Sequence, residues 1–158
     1  MELSDYDKAS INVLDEINRL VSIGLLSKKQ GEAINVSSLE AFFNGKFYSR
    51  MKNSNNIMRE KKFLVMISDL KLDDDELLMY NDTEGMLQGI ADCIFEEDDG
   101  YVLVDYKTDN VNSVDELTQH YTLQLKLYKY AFELLLDKPV KSSYIYSFKL
   151  KQGVEIDL

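Results

Sequence analysis

The segment QGIADCIFEEDDGYVLVDYKTD, from Gln88 to Asp109, restricts the fold more than any other part of the chain. Two runs rich in β-branched and aromatic residues flank EDDG, a strong signal for a tight turn, so the segment reads as a β-hairpin. Asp92, Asp105 and Lys107 fall in these strands at positions where apolar side chains are expected. Taking a charge out of water costs roughly several kcal/mol even after the surroundings relax, so such residues need partners.

Strand geometry limits what those partners are. Residues two apart share a face and lie about 6.8 Å from one another, so Asp105 and Lys107 point together and Tyr106 points away. If Asp98 and Asp99 form a two-residue loop, Asp92 lies opposite Asp105; if Asp99 and Gly100 form it, Asp92 lies opposite Lys107. In both registers the three charges converge, whereas a loop of odd length without a compensating bulge turns Asp92 to the other face.

Two carboxylates about 4 Å apart repel by roughly 4 kcal/mol at an effective dielectric near 20, so a positive charge belongs between them. Lys107 supplies one. A divalent cation supplies two and takes oxygen ligands, which Asp92, Asp105 and the backbone carbonyl of Tyr106 offer. Mg²⁺ keeps several of its waters in such a site, one of which is placed to attack a phosphodiester while Lys107 orients it or neutralises developing charge. A lone D-x-K triplet reads more simply as a buried ion pair; Asp92 one tight turn upstream favours the metal site.

Around the hairpin the apolar period predicts further elements. Residues 6–27 read as a helix with Ile11, Val13, Leu14, Ile17, Leu20, Val21 and Leu25 in register, and Ser27 caps a short helix over KKQGEAI. SSLEAFFNGKFYSRM, residues 37–51, reads as one more helix, closed by the turn cluster NSNN. REKKFLVMIS, from residue 59, reads as a strand, and the acidic stretch 69–85 as an irregular, exposed loop. A long helix is expected over 115–136, stopped by Pro139, then a strand over VKSSYIYSFKL and a short last one after Gly153. The order helices, β, β, β, α, β describes a mixed α/β sheet with a helical flank, in one domain of 158 residues: a mostly helical part, 1–56, and a core, 57–158.

The balance of 18 basic against 28 acidic residues, a formal charge of -10, excludes a protein that grips nucleic acid through a broadly basic surface. A polyanion has to be held locally or delivered by a partner. A single cysteine, Cys93, excludes a disulfide framework and cysteine-ligated metal clusters, and its place next to Asp92 points it to the opposite face as a small buried hydrophobe. The single histidine, His120, has no Ser-His-Asp or Cys-His context. DDDE at 73–76 lacks the glycine and terminal glutamate of a calcium loop, and most of the ten tyrosines fall on apolar sides of elements. Without a secretory leader or a bilayer-length apolar run, the expected setting is cytoplasmic, with no membrane partner.

GIAD, LVDYKTD and QLKLY, in that order, resemble the PD-(D/E)XK nuclease superfamily, in particular the RecB-like nuclease domain at the C-terminus of AddA (RexA) type helicase-nucleases. GLLS, AFF and REKKF extend the likeness over most of the chain, and residues 88–128 carry its most specific part. The resemblance implies a restriction-endonuclease-like sheet flanked by helices and a deoxyribonuclease of double-strand break repair and recombination. It implies Mg²⁺, or Mn²⁺, held by Asp92 and Asp105, with Lys107 as the catalytic lysine. Gln124 and Tyr128 occupy the family's QLxxY motif, one helical turn apart, where an amide and a phenol reach a phosphate or the carboxylates; Tyr128 also reads simply as core. Thr108 is a weaker contact of the same kind. Glu60, in REKKF, reads as an edge carboxylate paired with Arg59 or Lys61.

The chain departs from that family in lacking its upstream metal-ligating histidine, since His120 follows the lysine motif, and it has no phosphate loop of a helicase motor. Both point to a piece of a longer helicase-nuclease that cuts slowly or not at all by itself. ATP then acts only through the missing motor, single-stranded DNA is delivered by that motor, and an AddB-like second chain is the expected partner. The other reading is a nuclease-fold module that contacts DNA or a partner chain without cutting.

Overall fold

A computed structural model describes residues 12–157 except Asp82. The described chain divides into two compact units, one ending at Asn53 and the other running from Ser54.

In the first unit four short helices follow their capping residues. Helix α1 (Val13–Ser22) starts at Asn12, whose side chain accepts the Asp15 N–H, and buries Val13 and Ile17. Ile11 and the residues before it lie outside the described part. Helix α2 (Lys28–Ala33) has the expected Ser27 cap, made reciprocal by the Gln30 side chain. The helix expected over 37–51 is instead two, α3 (Val36–Phe43) and α4 (Lys46–Lys52). Asn44 and Gly45 separate them, and at Gly45 the chain passes so close to the preceding turn that a Cβ would sit 2.9 Å from the Ala41 carbonyl oxygen. Phe42, Phe43 and Tyr48 pack ring to ring across the break, with centroids 5.0–5.3 Å apart.

The second unit is a five-stranded sheet in the order β1-β2-β3-β4-β5: β1 (Asn56–Met66), β2 (Met86–Glu97), β3 (Gly100–Lys107), β4 (Val140–Ser147) and β5 (Gln152–Ile156). Only β3 and β4 are parallel, and the crossover between them is the long helix α5 (Val114–Leu135), capped by Ser113. The mixed α/β class expected from the sequence is borne out. The helix lies on one face of the sheet, where Leu117, Leu125, Ala131 and Phe132 meet Phe63, Ile94, Leu103 and Ile145 in the core.

The acidic stretch after β1 is less irregular and less exposed than expected. It holds two single-turn 3-10 segments, Ile67–Asp69 and Leu78–Tyr80. Leu70, Leu72 and Leu77 are buried in the core. Its acids are tied to α5, since Lys126 Nζ lies 2.7 Å from Asp74 and 3.1 Å from Glu76, and Tyr130 donates to Asp73. Leucines alternating with acids seat the loop while keeping the charges outside.

Strands β1 and β2 turn over midway. On β1 the core-facing residues are Met58, then Phe63 and Val65; on β2 they are Leu87 and Ala91, then Ile94. The odd intervals mean that each strand changes face, although the pairs Arg59↔Cys93 and Lys61↔Ala91 keep one register. The change falls at Glu60, whose φ is +50°, and at Asp92 across from it. A left-handed conformation costs a non-glycine residue about 1–2 kcal/mol, so packing on both sides has to hold it. Beyond the turnover, Gly89 lets α5 approach: a Cβ there would sit 2.7 Å from the Phe63 ring and 2.8 Å from the Tyr128 hydroxyl. Gly89→Ala is expected to lower stability by about 1–3 kcal/mol, read from the urea midpoint of unfolding.

Candidate active site

The turn joining β2 to β3 is Asp98-Asp99, because Glu97 pairs with Gly100, and the ladder then runs as far as Cys93↔Val104. The first of the two registers read from the sequence is the one formed, so the next pair would be Asp92 with Asp105. There the ladder stops. Instead of a β2 carbonyl, the Asp92 carboxylate accepts the Tyr106 N–H, through Oδ2 at 2.8 Å. Beyond this point β2 goes on pairing with β1 as far as Met86, while β3 stays with β4 as far as Lys107↔Ser147. Two acids therefore sit in a fork where the sheet splits.

Asp92 and Asp105 share the face of Ile94 and Leu103, which is the face covered by α5. Asp105 is buried, and its Oδ2 is sealed from solvent. Lys107 Nζ lies 2.6 Å from that oxygen, and the two charges pair. Burial pushes the Asp105 carboxyl above its ordinary range; Lys107 pulls it back, and the charges of Asp92 and Asp109 add to the rise. The fork thus gathers more negative charge than one ammonium satisfies.

Helix α5 closes the other side of Lys107. Its ammonium stands 4.1 Å from the centre of the Tyr121 ring and 3.5 Å from Gln124 Oε1. The Tyr121 hydroxyl donates to Asp109, which with burial raises its pKa to about 12. Tyr121 was legible in the sequence only as one of a helical row of apolar residues, and nothing in that row distinguishes a ring over a lysine from a ring in the core.

The sequence-derived residues thus separate in space. Asp92, Asp105, Lys107 and Gln124 come together. Tyr128, one turn beyond Gln124, packs edge-on against Phe63 at 4.9 Å and stands over Gly89. Thr108 is exposed just past the end of β3 and makes no hydrogen bond with the described residues. The Tyr106 carbonyl points to the same side of β3 as its N–H, toward Asp92, whereas the Lys107 carbonyl points the other way and accepts the Phe148 N–H. Glu60 forms no ion pair with Arg59 or Lys61 among the described residues, correcting the expectation of an edge pair; it stands at the left-handed turnover of β1, with those two cations on opposite faces. On the far side of β2, burial pushes the Cys93 thiol up to about 11, as expected for a buried hydrophobe. His120 is exposed beside Tyr121. Among the described residues, no three of histidine, cysteine, aspartate and glutamate gather closely enough to hold a metal ion by themselves. No helix of the described chain is long and apolar enough to cross a membrane.

The profile of the PD-(D/E)XK nuclease superfamily matches residues 27–155. Relatives that carry the name of an ATP-dependent helicase/nuclease chain include one from Clostridium botulinum strain Hall, 35% identical over 147 residues, which cover 92% of this chain and 12% of that protein. One from Clostridium botulinum strain Loch Maree is 37% identical over 150 residues, with the same two coverages. One from Thermoanaerobacter sp. strain X514 is 36% identical over 146 residues, which cover 91% of this chain and 12% of the relative. The chain therefore spans about 12% of the length of the relatives it matches. Nucleases of this superfamily generally use divalent metal ions. With the acids, the lysine and the mixed sheet in the family's order, the chain belongs to the PD-(D/E)XK nuclease superfamily.

Proposed function

We propose that this chain is a Mg²⁺-dependent deoxyribonuclease domain that hydrolyses phosphodiester bonds of single-stranded DNA within a helicase-nuclease of double-strand break repair. The observation that carries the reading is the fork between β2 and β3, where the buried Asp105, Asp92 and Lys107 meet.

These residues fit a hard divalent cation. Asp105 Oδ2, the Asp92 oxygen not used on Tyr106, and the Tyr106 carbonyl are all oxygen donors, the type Mg²⁺ and Mn²⁺ prefer. They are three donors, so waters complete the shell. Bound there, the ion supplies Lewis-acid charge and a water of lowered pKa. The chain's own residues do the rest. Asp92 and Asp105 supply the negative charge that retains the cation. Lys107, held between Asp105, the Tyr121 ring and Gln124, presents an ammonium to an incoming phosphate oxygen or attacking water. Gln124 fixes the direction of that ammonium, and Tyr121 shields it from bulk water.

The relatives' name supports a motor and a partner chain, with ATP used by the motor and DNA strands fed to this domain. The same name, on bacterial DNA-processing enzymes, supports a cytoplasmic setting.

Calorimetric titration of Mg²⁺ and Mn²⁺ tests the site. Wild type is expected to take up one equivalent, and Asp92→Ala to lose it. No uptake by wild type, or the same uptake by Asp92→Ala, would favour a nuclease-fold module that does not cut.

A further inference from the structure

We propose that the outer edge of the sheet is a phosphate-binding rail, in which Arg59, Lys61 and Lys62 of β1 hold the backbone of a DNA strand on the Asp92 side of the carboxylates. The identity of the ligand rests on the nuclease reading above; the rail itself rests on the following observations.

In a chain of formal charge -10, cations are scarce, and in the sheet unit many are already neutralised. Lys107 faces Asp105, Lys126 faces Asp74 and Glu76, Lys138 faces Glu96, and Lys141 faces Glu97 and Asp99. Arg59, Lys61 and Lys62 are exposed, and none of them pairs with an acid among the described residues. Three such cations within four residues, against one acid, Glu60, give this stretch a net charge of +2.

Their position gives the excess a use. Strand β1 is the last of its side of the sheet, so long side chains reach past it with no neighbouring strand in the way. The register sets Arg59 against Cys93 and Lys61 against Ala91, so these two straddle Asp92. Lys61 is two residues from Phe63 and paired with Ala91, both in the core under α5, and so shares the face of the carboxylates; Arg59 and Lys62 come to the edge from the other face. Arg59 to Lys62 covers about 10 Å of strand, comparable with the Debye length of about 8 Å at physiological salt, so the three charges act together on a nearby phosphate. The site then has cations on both flanks: Lys107 under α5, and the rail at the open edge. A net acidic surface elsewhere repels DNA that is not aligned with this line.

Edge strands also carry lysines simply to prevent edge-to-edge association, and DNA binding separates the two roles. The experiment is fluorescence anisotropy of a labelled oligothymidylate titrated with the chain in EDTA, at a series of salt concentrations, so that nothing is cut. The triple variant Arg59→Gln, Lys61→Gln, Lys62→Gln is compared with wild type and with a control, Lys71→Gln with Lys149→Gln, two exposed lysines outside β1. Each phosphate contact on a single strand contributes about 0.7 to the slope of log K against log salt, so the triple variant is expected to lose about 2 from that slope and about tenfold or more in affinity at low salt. Lys61→Gln alone is expected to lose about a third of the slope change, and the control to bind as wild type does. The proposal is overturned if the triple variant keeps the wild-type affinity and slope, if the control loses as much, or if wild type shows no salt-dependent binding. Asp105→Asn separates the two readings, since it is expected to bind with the full slope; cleavage surviving in it removes Asp105 from the mechanism and leaves the rail standing, and absence of Mg²⁺-dependent cleavage by wild type with the slope intact sinks the nuclease reading alone.

Discussion

Asparagine at position 105 is expected to reduce Mg²⁺-dependent cleavage of a single-stranded oligonucleotide by at least about 10²–10³-fold, the scale on which a single electrostatic group in a reaction site acts. The change keeps the shape of the side chain and an acceptor oxygen, and removes one unit of the charge that retains the cation. Stability should move far less. Burial already disfavours the ionised form of Asp105, and a neutral amide relieves that cost. Lys107, 17% exposed, keeps Gln124 and the Tyr121 ring when Asp105 no longer answers its charge. Alanine is the harsher test, because an emptied position beside a mostly buried ammonium resembles a broken buried ion pair, which costs about 3–5 kcal/mol. A loss of cutting by the asparagine variant with an unchanged urea midpoint supports a role in chemistry; full cutting by it removes Asp105 from the mechanism.

The largest stability effect is expected at Phe132. Its ring is fully buried beneath the sheet and stacks edge-on against Phe63, with centroids 5.1 Å apart. Phe132→Ala is expected to cost about 3–5 kcal/mol, since it loses both transferred apolar area and the contacts around the cavity it leaves. At about 2 kcal/mol per molar of urea the unfolding midpoint falls by roughly 2 M. Leu135→Ala, three residues on at the exposed end of α5, should stay within about 0.5 kcal/mol of wild type. Equal losses at the two positions would contradict the packing of α5 on the sheet.

The sheet was legible in the sequence because its strands are short apolar runs separated by strong turn signals, and α5 because its leucines and aromatics keep one period up to the stop at Pro139. The approach of Asp92, Asp105 and Lys107 was legible for a simpler reason: a two-residue turn and a period of two leave few places for a side chain to go. Features that depend on close approach were not. The break at Asn44-Gly45 reads as a continuing helix until the carbonyl of Ala41 is seen under the glycine. The leucines of the acidic loop look exposed among their aspartates until α5 provides the lysine and tyrosine that hold them down. Glu60 reads as an ordinary strand residue, because a left-handed backbone at a glutamate is a property of both paired strands and has no signature in either one.

The fork has a mechanical side. Past Asp92, β1 and β2 continue as a ribbon of two strands, and at its far end Met66 pairs with Met86, both exposed. Ribbons of two strands twist and bend more readily than the interior of a sheet. Six residues at about 3.3 Å each make an arm of about 20 Å that starts where the acids stand. Phe63, Val65 and Ala91 of that arm lie in the core with Phe132 of α5, so the helix braces what strand pairing alone would leave pliant, and the setting of Asp92 against Asp105 depends on that brace.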